Sequence, residues 1–155
     1  MFRMYRAISR ERFYFTAQTH AKPHCISGIT NPDFFFQPGG GPILDLGPYY
    51  ITNLVQLIGP VKSVSAAATA SFSTRRIGNG LREGETVPVT TPTNIHAILE
   101  FASGAIVTLG ASWDVAAHRH ENMELYGSEG SLYLPDPNFF GGDVLLARSE
   151  GKASK

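Results

Sequence analysis

The sequence has little cysteine, little charge and no excess of charge of either sign. Among 155 residues there is one cysteine, Cys25, and 13 Lys and Arg balance 13 Asp and Glu. A single cysteine excludes an intramolecular disulfide and a multi-cysteine zinc site, which is typical of a protein in a reduced compartment. Zero net charge provides no general positive field to hold a nucleic-acid backbone. We therefore expect a cytoplasmic protein with no nucleic-acid partner.

Long apolar runs are also missing. No stretch approaches the roughly 18 to 20 apolar residues that span a bilayer, and the N-terminal stretch has no uninterrupted apolar core like that of a secretory signal. Hydrophobic residues nevertheless make up 43% of the chain, and the mean hydropathy is -0.07. That composition suits a chain that folds in water around one core, and no membrane contact is expected.

The first 30 residues differ in character from the rest. Five basic residues stand against Glu11 within residues 1–22, and the aromatic run Phe13–Phe15 lies among them. A mitochondrial presequence is one interpretation, although a single serine and three aromatics match it poorly. A poorly ordered lead-in, or the remnant of a longer N-terminal part, is the other. We expect such a segment over 1–30, an α+β domain over 31–150 and a tail over 151–155.

Residues 31–60 predict a shaped turn followed by a helix. The run Gln37–Pro42 holds three consecutive glycines between prolines, which is typical of a tight bend. Apolar residues then recur every three or four positions from Pro42 to Ile58, which predicts an amphipathic helix. Pro48 conflicts with an uninterrupted helix because it lacks a backbone N–H. Either the helix kinks at Gly47 and Pro48, or it begins at Pro48.

After Pro60 the pattern becomes that of strands, rich in Val, Ile, Thr and alternating residues. Residues 75–85, with three glycines and charges of both signs, are predicted to be a loop. The short connections at 102–104 and 127–130 predict two hairpins. The fold class is therefore α+β, with an open, mostly antiparallel sheet of about six strands and one main helix packed on one face. The predicted strands are 61–72, 93–101, 105–113, 122–126, 131–134 and 144–148.

Motifs that bind nucleotides or carry a nucleophile are absent. Gly78 and Gly80 match the first two glycines of a dinucleotide-binding fingerprint, but Glu83 stands where the third glycine should be. No strand-turn-helix pattern surrounds them. No P-loop occurs. The run Gly127–Gly130 lacks the G-x-S-x-G elbow and lies between two predicted strands. We predict no cofactor-binding residue in this chain.

A metal site is the next possibility. His118 and His120 are two residues apart, so on a strand they would share a face and could supply two ligands. The neighbouring carboxylates Asp114 and Glu121 are more typical of solvated groups in a connection. We predict no metal.

Asp45 and Tyr49 are the remaining candidates for chemistry. They are four residues apart just after the glycine run, so on a helix they project from one face. There a carboxylate can accept a hydrogen bond from a bound hydroxyl while a phenol donates to a carbonyl or alkoxide oxygen. The alternative is structural, because Asp is favourable near a helix start and Tyr is ordinary in an apolar stripe.

Four segments in order resemble one known family. The string Phe35–Tyr50, read FFQPGGGPILDLGPYY, resembles the start of the C-terminal domain of the glucose-fructose oxidoreductase, inositol dehydrogenase and rhizopine-catabolism (Gfo/Idh/MocA) family. That family has a glycine-rich turn, then Asp, Gly and a His or Tyr four residues after the Asp. Leu57–Val61 is similar to the family's helix end, Glu100–Ala105 to its central hairpin and Tyr126–Leu132 to its late G-T-E-G turn. Together they cover roughly 32–148.

The resemblance implies a function and roles for three residues. Family members are NAD(P)-dependent oxidoreductases that act on a CH–OH carbon of sugars, polyols or related compounds, and the open sheet often pairs with a second subunit. By motif, Tyr49 corresponds to the family's acid/base or substrate-orienting residue. Asp45 corresponds to the Asp that contacts substrate or holds that residue. His118, in a Trp-x-x-x-x-His run, is placed near the pocket.

The sequence also departs from the family pattern. It has neither the N-terminal Rossmann domain with its glycine fingerprint nor the Glu-Lys-Pro stretch with the catalytic Lys. Hydride transfer needs the nicotinamide held against the substrate carbon. We therefore expect the substrate-binding and oligomerisation half of such an enzyme, inactive alone, with NAD or NADP bound mainly by a domain absent here. The alternatives are a stand-alone, non-catalytic dimerisation or ligand-binding module, and an inactive truncated remnant.

Overall fold

The computed structural model describes residues 12–17, 25–26, 31–139 and 141–148. Its α+β class with mostly antiparallel sheets confirms the predicted fold class. Besides a 3-10 helix at Asp33–Phe36, there are two helices, α1 (Pro42–Asp45) and α2 (Gly47–Ile58). The strands are β1 (Arg12–Ala17), β2 (Cys25–Ile26), β3 (Val61–Thr69), β4 (Thr74–Ile77), β5 (Thr86–Pro88), β6 (Asn94–Phe101), β7 (Ile106–Ser112), β8 (Met123–Gly127), β9 (Gly130–Leu134) and β10 (Leu145–Arg148).

The large sheet has seven strands in the order β10-β9-β8-β1-β7-β6-β3. Its antiparallel pairs include β6 with β7 and β8 with β9, which confirms the two predicted hairpins. All six predicted strands are present in this sheet. The seventh, β1, lies between β7 and β8, parallel to β7 and antiparallel to β8. It comes from the segment 1–30, to which the sequence analysis assigned no element; the rest of that segment and 151–155 lie outside the described residues.

A second, three-stranded sheet has the order β2-β4-β5. The prediction of a loop over 75–85 was wrong at its start, because β4 extends to Ile77. Arg75 and Ile77 point inward and are 2% and 1% exposed, whereas Arg76 between them is exposed. The alternation is that of a strand, but two arginines beside a glycine-rich run conceal it.

The helical region is two helices rather than one. α1 ends at Asp45, and α2 begins at Gly47, so that Pro48 lies in its first turn. This position costs little, because the first N–H groups of a helix have no partner within it. Both predicted alternatives are thus partly correct: there is a break before Pro48, and a short helix precedes it. α2 ends at Ile58 and is capped by Gly59, whose φ is 103°.

The core lies between α2 and one face of the large sheet. Tyr50, Leu54 and Ile58, spaced one turn apart, are 2%, 2% and 8% exposed. They pack with buried residues of three strands and the β6–β7 connection, namely Ala97, Leu99, Phe101, Ala105, Val107, Leu109, Ala111, Met123 and Leu125. The opposite face of the sheet is open: on β6, His96, Ile98 and Glu100 are exposed between buried neighbours. A single covered face agrees with the prediction.

No helix within the described part of the chain is long and apolar enough to cross a membrane.

Candidate functional site

Several connections leave the large sheet at one end. There β3 ends at Thr69 opposite Asn94, the first residue of β6, which in turn pairs with Ser112 at the end of β7. β8 begins and β9 ends at the same side, where Met123 pairs with Leu134. The connections 70–73, 89–93, 113–122 and 135–139 therefore leave this edge together, and we call it the loop end of the sheet.

The glycine bend, residues Gln37–Gly41, packs closely on its neighbours at the loop end. The amide of Gly41 donates to the carbonyl of Phe35 at 2.8 Å. A Cβ on Gly40 would lie 2.4 Å from the carbonyl oxygens of Phe34 and Phe35, and one on Gly41 would lie 2.9 Å from that of Pro92. Glycine is required here because the backbone folds against itself and against 89–93.

The bend leads directly into the two helices that carry Asp45 and Tyr49. The amide of Asp45 donates to the carbonyl of Gly41 at 3.1 Å, so α1 starts on the bend. Leu46, between the helices, keeps helical angles of φ -98° and ψ -29°. The turn from Asp45 to Tyr49 therefore keeps its helical course, although no hydrogen bond joins these two side chains among the described residues.

Both side chains reach solvent. Tyr49 is 42% exposed, in contrast to the adjacent Tyr50, which is 2% exposed. Asp45 is half-buried, and burial raises the pKa of its carboxyl above the usual range. A partly desolvated carboxyl beside an exposed phenol fits a site that contacts hydroxyl groups.

Tyr50 is a residue that the sequence analysis missed. Its hydroxyl donates to Oδ1 of Asp136 at 2.7 Å, and the same oxygen accepts from the amide of Asn138 at 2.9 Å. Burial, and then the bond to Asp136, raise the pKa of Tyr50, so it stays a neutral donor. The bond fixes the start of α2 to the connection 135–139. Tyr50 counts only as core in the apolar pattern, and its partner is 86 positions away.

His118 lies in the connection 113–122, at the same end of the sheet as Asp45 and Tyr49. It is half-buried, and its ring stacks on that of His120 with centroids 6.4 Å apart. Its Nδ1 is buried and has no hydrogen-bond partner in the part of the chain that the structure describes. Nothing in the described residues bonds it to Asp45 or Tyr49. Asp114, considered above as a solvated neighbour, instead forms a buried ion pair with Arg75. Within the described ranges no three His, Cys, Asp or Glu residues are grouped to hold a metal.

The glycine bend does not fit the phosphates of a dinucleotide. In a phosphate-binding turn, free backbone N–H groups and the absence of Cβ atoms leave room for the ligand. Here the amides of Gly40 and Gly41 already donate to Gln37 and Phe35, and the protein's own backbone fills the space beside both glycines. The bend thus serves internal packing.

Comparison with known proteins decides the family. The model of the GFO/IDH/MocA C-terminal domain matches residues 12–133. The chain belongs to this family. The match confirms the resemblance seen in the sequence, and it starts at the first residue of β1. None of the curated proteins compared with this Gfo/Idh/MocA domain matches its sequence.

Solved structures show the same fold. An NAD binding oxidoreductase from Klebsiella pneumoniae is 22% identical with a TM-score of 0.66, covering 97% of this chain and 38% of its own. Levoglucosan dehydrogenase in its apo form is 23% identical with a TM-score of 0.65, covering 94% and 38%. A super-repressor mutant of Gal80p from Saccharomyces cerevisiae is 12% identical with a TM-score of 0.63, covering 96% and 40%. This Gfo/Idh/MocA domain thus spans about two fifths of each neighbour, and at such identities the likeness concerns the fold alone.

Proposed function

We propose that this domain forms the substrate side of the active site of an NAD(P)-dependent oxidoreductase acting on a CH–OH group of a sugar, polyol or related compound. The dinucleotide would be held by another domain. The observation that carries the proposal is the glycine bend, which brings Asp45 and an exposed Tyr49 to the loop end of the sheet in a chain of this family. A cytoplasmic location, supported by the single cysteine, belongs to the same proposal.

In this site each residue has a distinct task. Tyr49 donates a hydrogen bond or a proton to the oxygen of the reacting carbon, which suits a phenol that is accessible from solvent. Asp45 accepts from a neighbouring substrate hydroxyl, and its partial burial strengthens that bond. His118, whose buried Nδ1 has no partner within the described ranges, offers a further polar contact from the connection 113–122. The three together orient the reacting carbon toward the cofactor domain.

A structural neighbour guides the choice of substrates to test. Levoglucosan dehydrogenase, 21% identical with a TM-score of 0.59, has been solved in complex with NADH and levoglucosan, covering 83% of this chain and 32% of its own. We therefore include an anhydrosugar and a ketose beside polyols and inositols. Identity at this level does not transfer the substrate.

The test supplies a cofactor domain in trans. The chain, mixed with a Rossmann domain of the same family, is assayed with NAD and NADP on this panel. Tyr49→Phe should lower kcat at least tenfold, because only the hydroxyl is lost. Tyr133→Phe, a tyrosine on β9, is the matched control and should leave kcat unchanged. The enzymatic function is refuted if no combination is active, or if both variants behave alike.

A second function is favoured by one comparison. Gal80p from a second yeast is described as a transcriptional regulator, is 12% identical with a TM-score of 0.61, and covers 94% of this chain and 39% of its own. The fold therefore also occurs in a protein named for regulation rather than catalysis. A stand-alone binding module would bind a panel sugar in calorimetry, yet show no turnover with any cofactor domain.

The open face of the sheet supports self-association. Ile98 on β6 and Ile106 on β7 are each 48% exposed on this face. Ile98 pairs with Ser65 of β3 on one side and with Thr108 of β7 on the other. Exposed aliphatic side chains on a flat sheet gain free energy when a second copy covers them. Ile98→Asp should lower the oligomer mass in light scattering. Val64→Asp, at an exposed valine on the opposite face of β3, is the matched control, and an equal effect of both would exclude this interface.

A further inference from the structure

A buried ion pair lies at the loop end of the sheet. The side chains of Arg75 on β4 and Asp114 after β7 are 2% and 6% exposed, and Nη2 of Arg75 donates to Oδ1 of Asp114. The other carboxylate oxygen accepts from the Ser71 amide at 3.1 Å and the Thr93 hydroxyl at 2.9 Å. Four separate segments of the chain, from the ends of β3 and β7 and the starts of β4 and β6, therefore meet at one pair of charges.

Aromatic rings connect this pair to the residues just before the bend. The guanidinium of Arg75 lies 4.8 Å from the ring centroid of Phe72 and 5.6 Å from that of Phe36. Trp113, next to Asp114 in sequence, packs edge-on against Phe36 and Phe35 at 5.3 and 5.9 Å between centroids. Rings in these arrangements attract the cation and each other.

The backbone of the same phenylalanines holds the bend. The carbonyl of Phe36 accepts from the Thr90 amide at 2.8 Å, and that of Phe35 accepts from the Gly41 amide at the same distance. The carbonyl of Gly41 accepts in turn from the amide of Asp45 at 3.1 Å. Direct contacts thus lead from the ion pair, through two aromatic residues and the bend, to the backbone of α1.

The pair is not arranged for stability alone. Taking two charges out of water is costly, and apolar residues of similar size often stabilise a core at least as well. Nε of Arg75 is also buried without a partner among the described residues, as is Nε1 of Trp113. Buried polar groups that fix one arrangement of the chain, at some cost in stability, are typical of places where position matters.

We propose that Arg75 and Asp114 are positioning residues, which set the place of the glycine bend, and through it of Asp45 and Tyr49, at the loop end of the sheet. The effect of the ion pair on the bend can be tested in this chain by itself. Its effect on substrate binding and turnover rests on the proposed function.

The first experiment measures amide hydrogen exchange by NMR in the full chain. In Arg75→Met, exchange at Gly41 and Thr90 should rise about tenfold or more, while amides of the β6–β7 ladder change less. Arg75→Lys, which keeps the charge, should restore part of the protection. Asp114→Asn gives a second test if Arg75→Met fails to fold, and it should open the same two amides.

A core variant separates local from global effects. Leu125→Ala removes apolar contacts in the sheet far from the bend, so it should raise exchange at all globally opening amides alike. If Arg75→Met and Asp114→Asn give that same uniform pattern, or leave Gly41 and Thr90 unchanged, the proposal is overturned.

The second experiment uses the enzyme completed with a cofactor domain. Arg75→Met should lower kcat/KM about tenfold or more, with partial recovery in Arg75→Lys, whereas Leu125→Ala should leave the kcat/KM of the folded fraction unchanged. If Arg75→Met raises exchange at Gly41 and Thr90 but leaves kcat/KM unchanged, the proposal that the ion pair positions Asp45 and Tyr49 is overturned. An inactive wild-type complex refutes the proposed function instead, and hydrogen exchange then decides the claim about the bend by itself.

Discussion

The bond between Tyr50 and Asp136 gives a stability prediction whose size follows from the structure. Tyr50→Phe removes one hydroxyl from a side chain that is 2% exposed and keeps the ring in the core. A hydrogen bond to a charged acceptor contributes about 1.5–3 kcal/mol, and the penalty is largest when the abandoned partner is sealed from water. Asp136 is half-buried and keeps the amide of Asn138 as a donor. We therefore expect a loss of about 1–2 kcal/mol, around or slightly below the lower end of that range.

The assay is a double-mutant cycle followed by urea unfolding. Tyr50→Phe, Asp136→Ala and the double variant are compared with the wild type, and the coupling energy should be about 1–2 kcal/mol. Tyr133→Phe serves as the control and should stay within about 0.5 kcal/mol of the wild type. Single losses that simply add, within about 0.5 kcal/mol, would show that the bond does not tie α2 to the connection 135–139.

Three further predictions concern the bend and its surroundings. Burial raises the pKa of Asp45, which penalises its ionised form in the native state, so Asp45→Asn should raise the melting temperature at pH 7, and the gain should vanish below the ordinary value of 3.8. A Gly40→Ala methyl would meet two carbonyl oxygens at 2.4 Å, and we expect a loss of about 3 kcal/mol or more. The matched control is Gly39→Ala, at a glycine with φ +95° where an added Cβ would meet no described atom within 4 Å. It should cost about 1–2 kcal/mol by urea unfolding, because only the backbone conformation is strained. Equal losses in the Gly39 and Gly40 variants would contradict the packing argument. For Asp114, burial alone would raise the pKa, but bonds from Ser71 and Thr93 and the Arg75 charge lower it, so its ionised form stabilises the native state above pH 3.8. Asp114→Asn should therefore cost about 2–4 kcal/mol at neutral pH and less as the pH falls below 3.8, and a loss independent of pH would refute it.

The strands that local pattern predicted are those whose partners are close in sequence. β6 and β7, and β8 and β9, are joined by short connections with glycine, so periodicity and turn chemistry suffice to pair them. β1 precedes the helices in sequence but pairs with β7, which follows them, and β4 pairs with the short β2. Such distant pairing leaves no local signal, and on β4 the two adjacent arginines also concealed the alternation.

The candidate site likewise contains residues that a local motif indicated and residues whose partners are distant in sequence. Asp45 and Tyr49 follow a motif that is contiguous in sequence, so the motif alone indicated them. Tyr50 and Asp136, or Arg75 and Asp114, are pairs whose partners are 86 and 39 positions apart. The role of each pair depends on which segments the fold brings together. In the sequence, each of these residues by itself is typical of a core or a loop.

By itself, the sequence determined the α+β class, the glycine bend with its helix, and the family, because each follows from periodicity or from a short run of residues. Only the tertiary structure decided that β1 lies within the sheet, that Leu46 separates α1 from an α2 that begins one residue before Pro48, and that Arg75 and Asp114 form a buried ion pair. Burial and long-range pairing are properties of the folded chain. They set which of two adjacent tyrosines is buried and bonded to Asp136 and which is exposed to solvent.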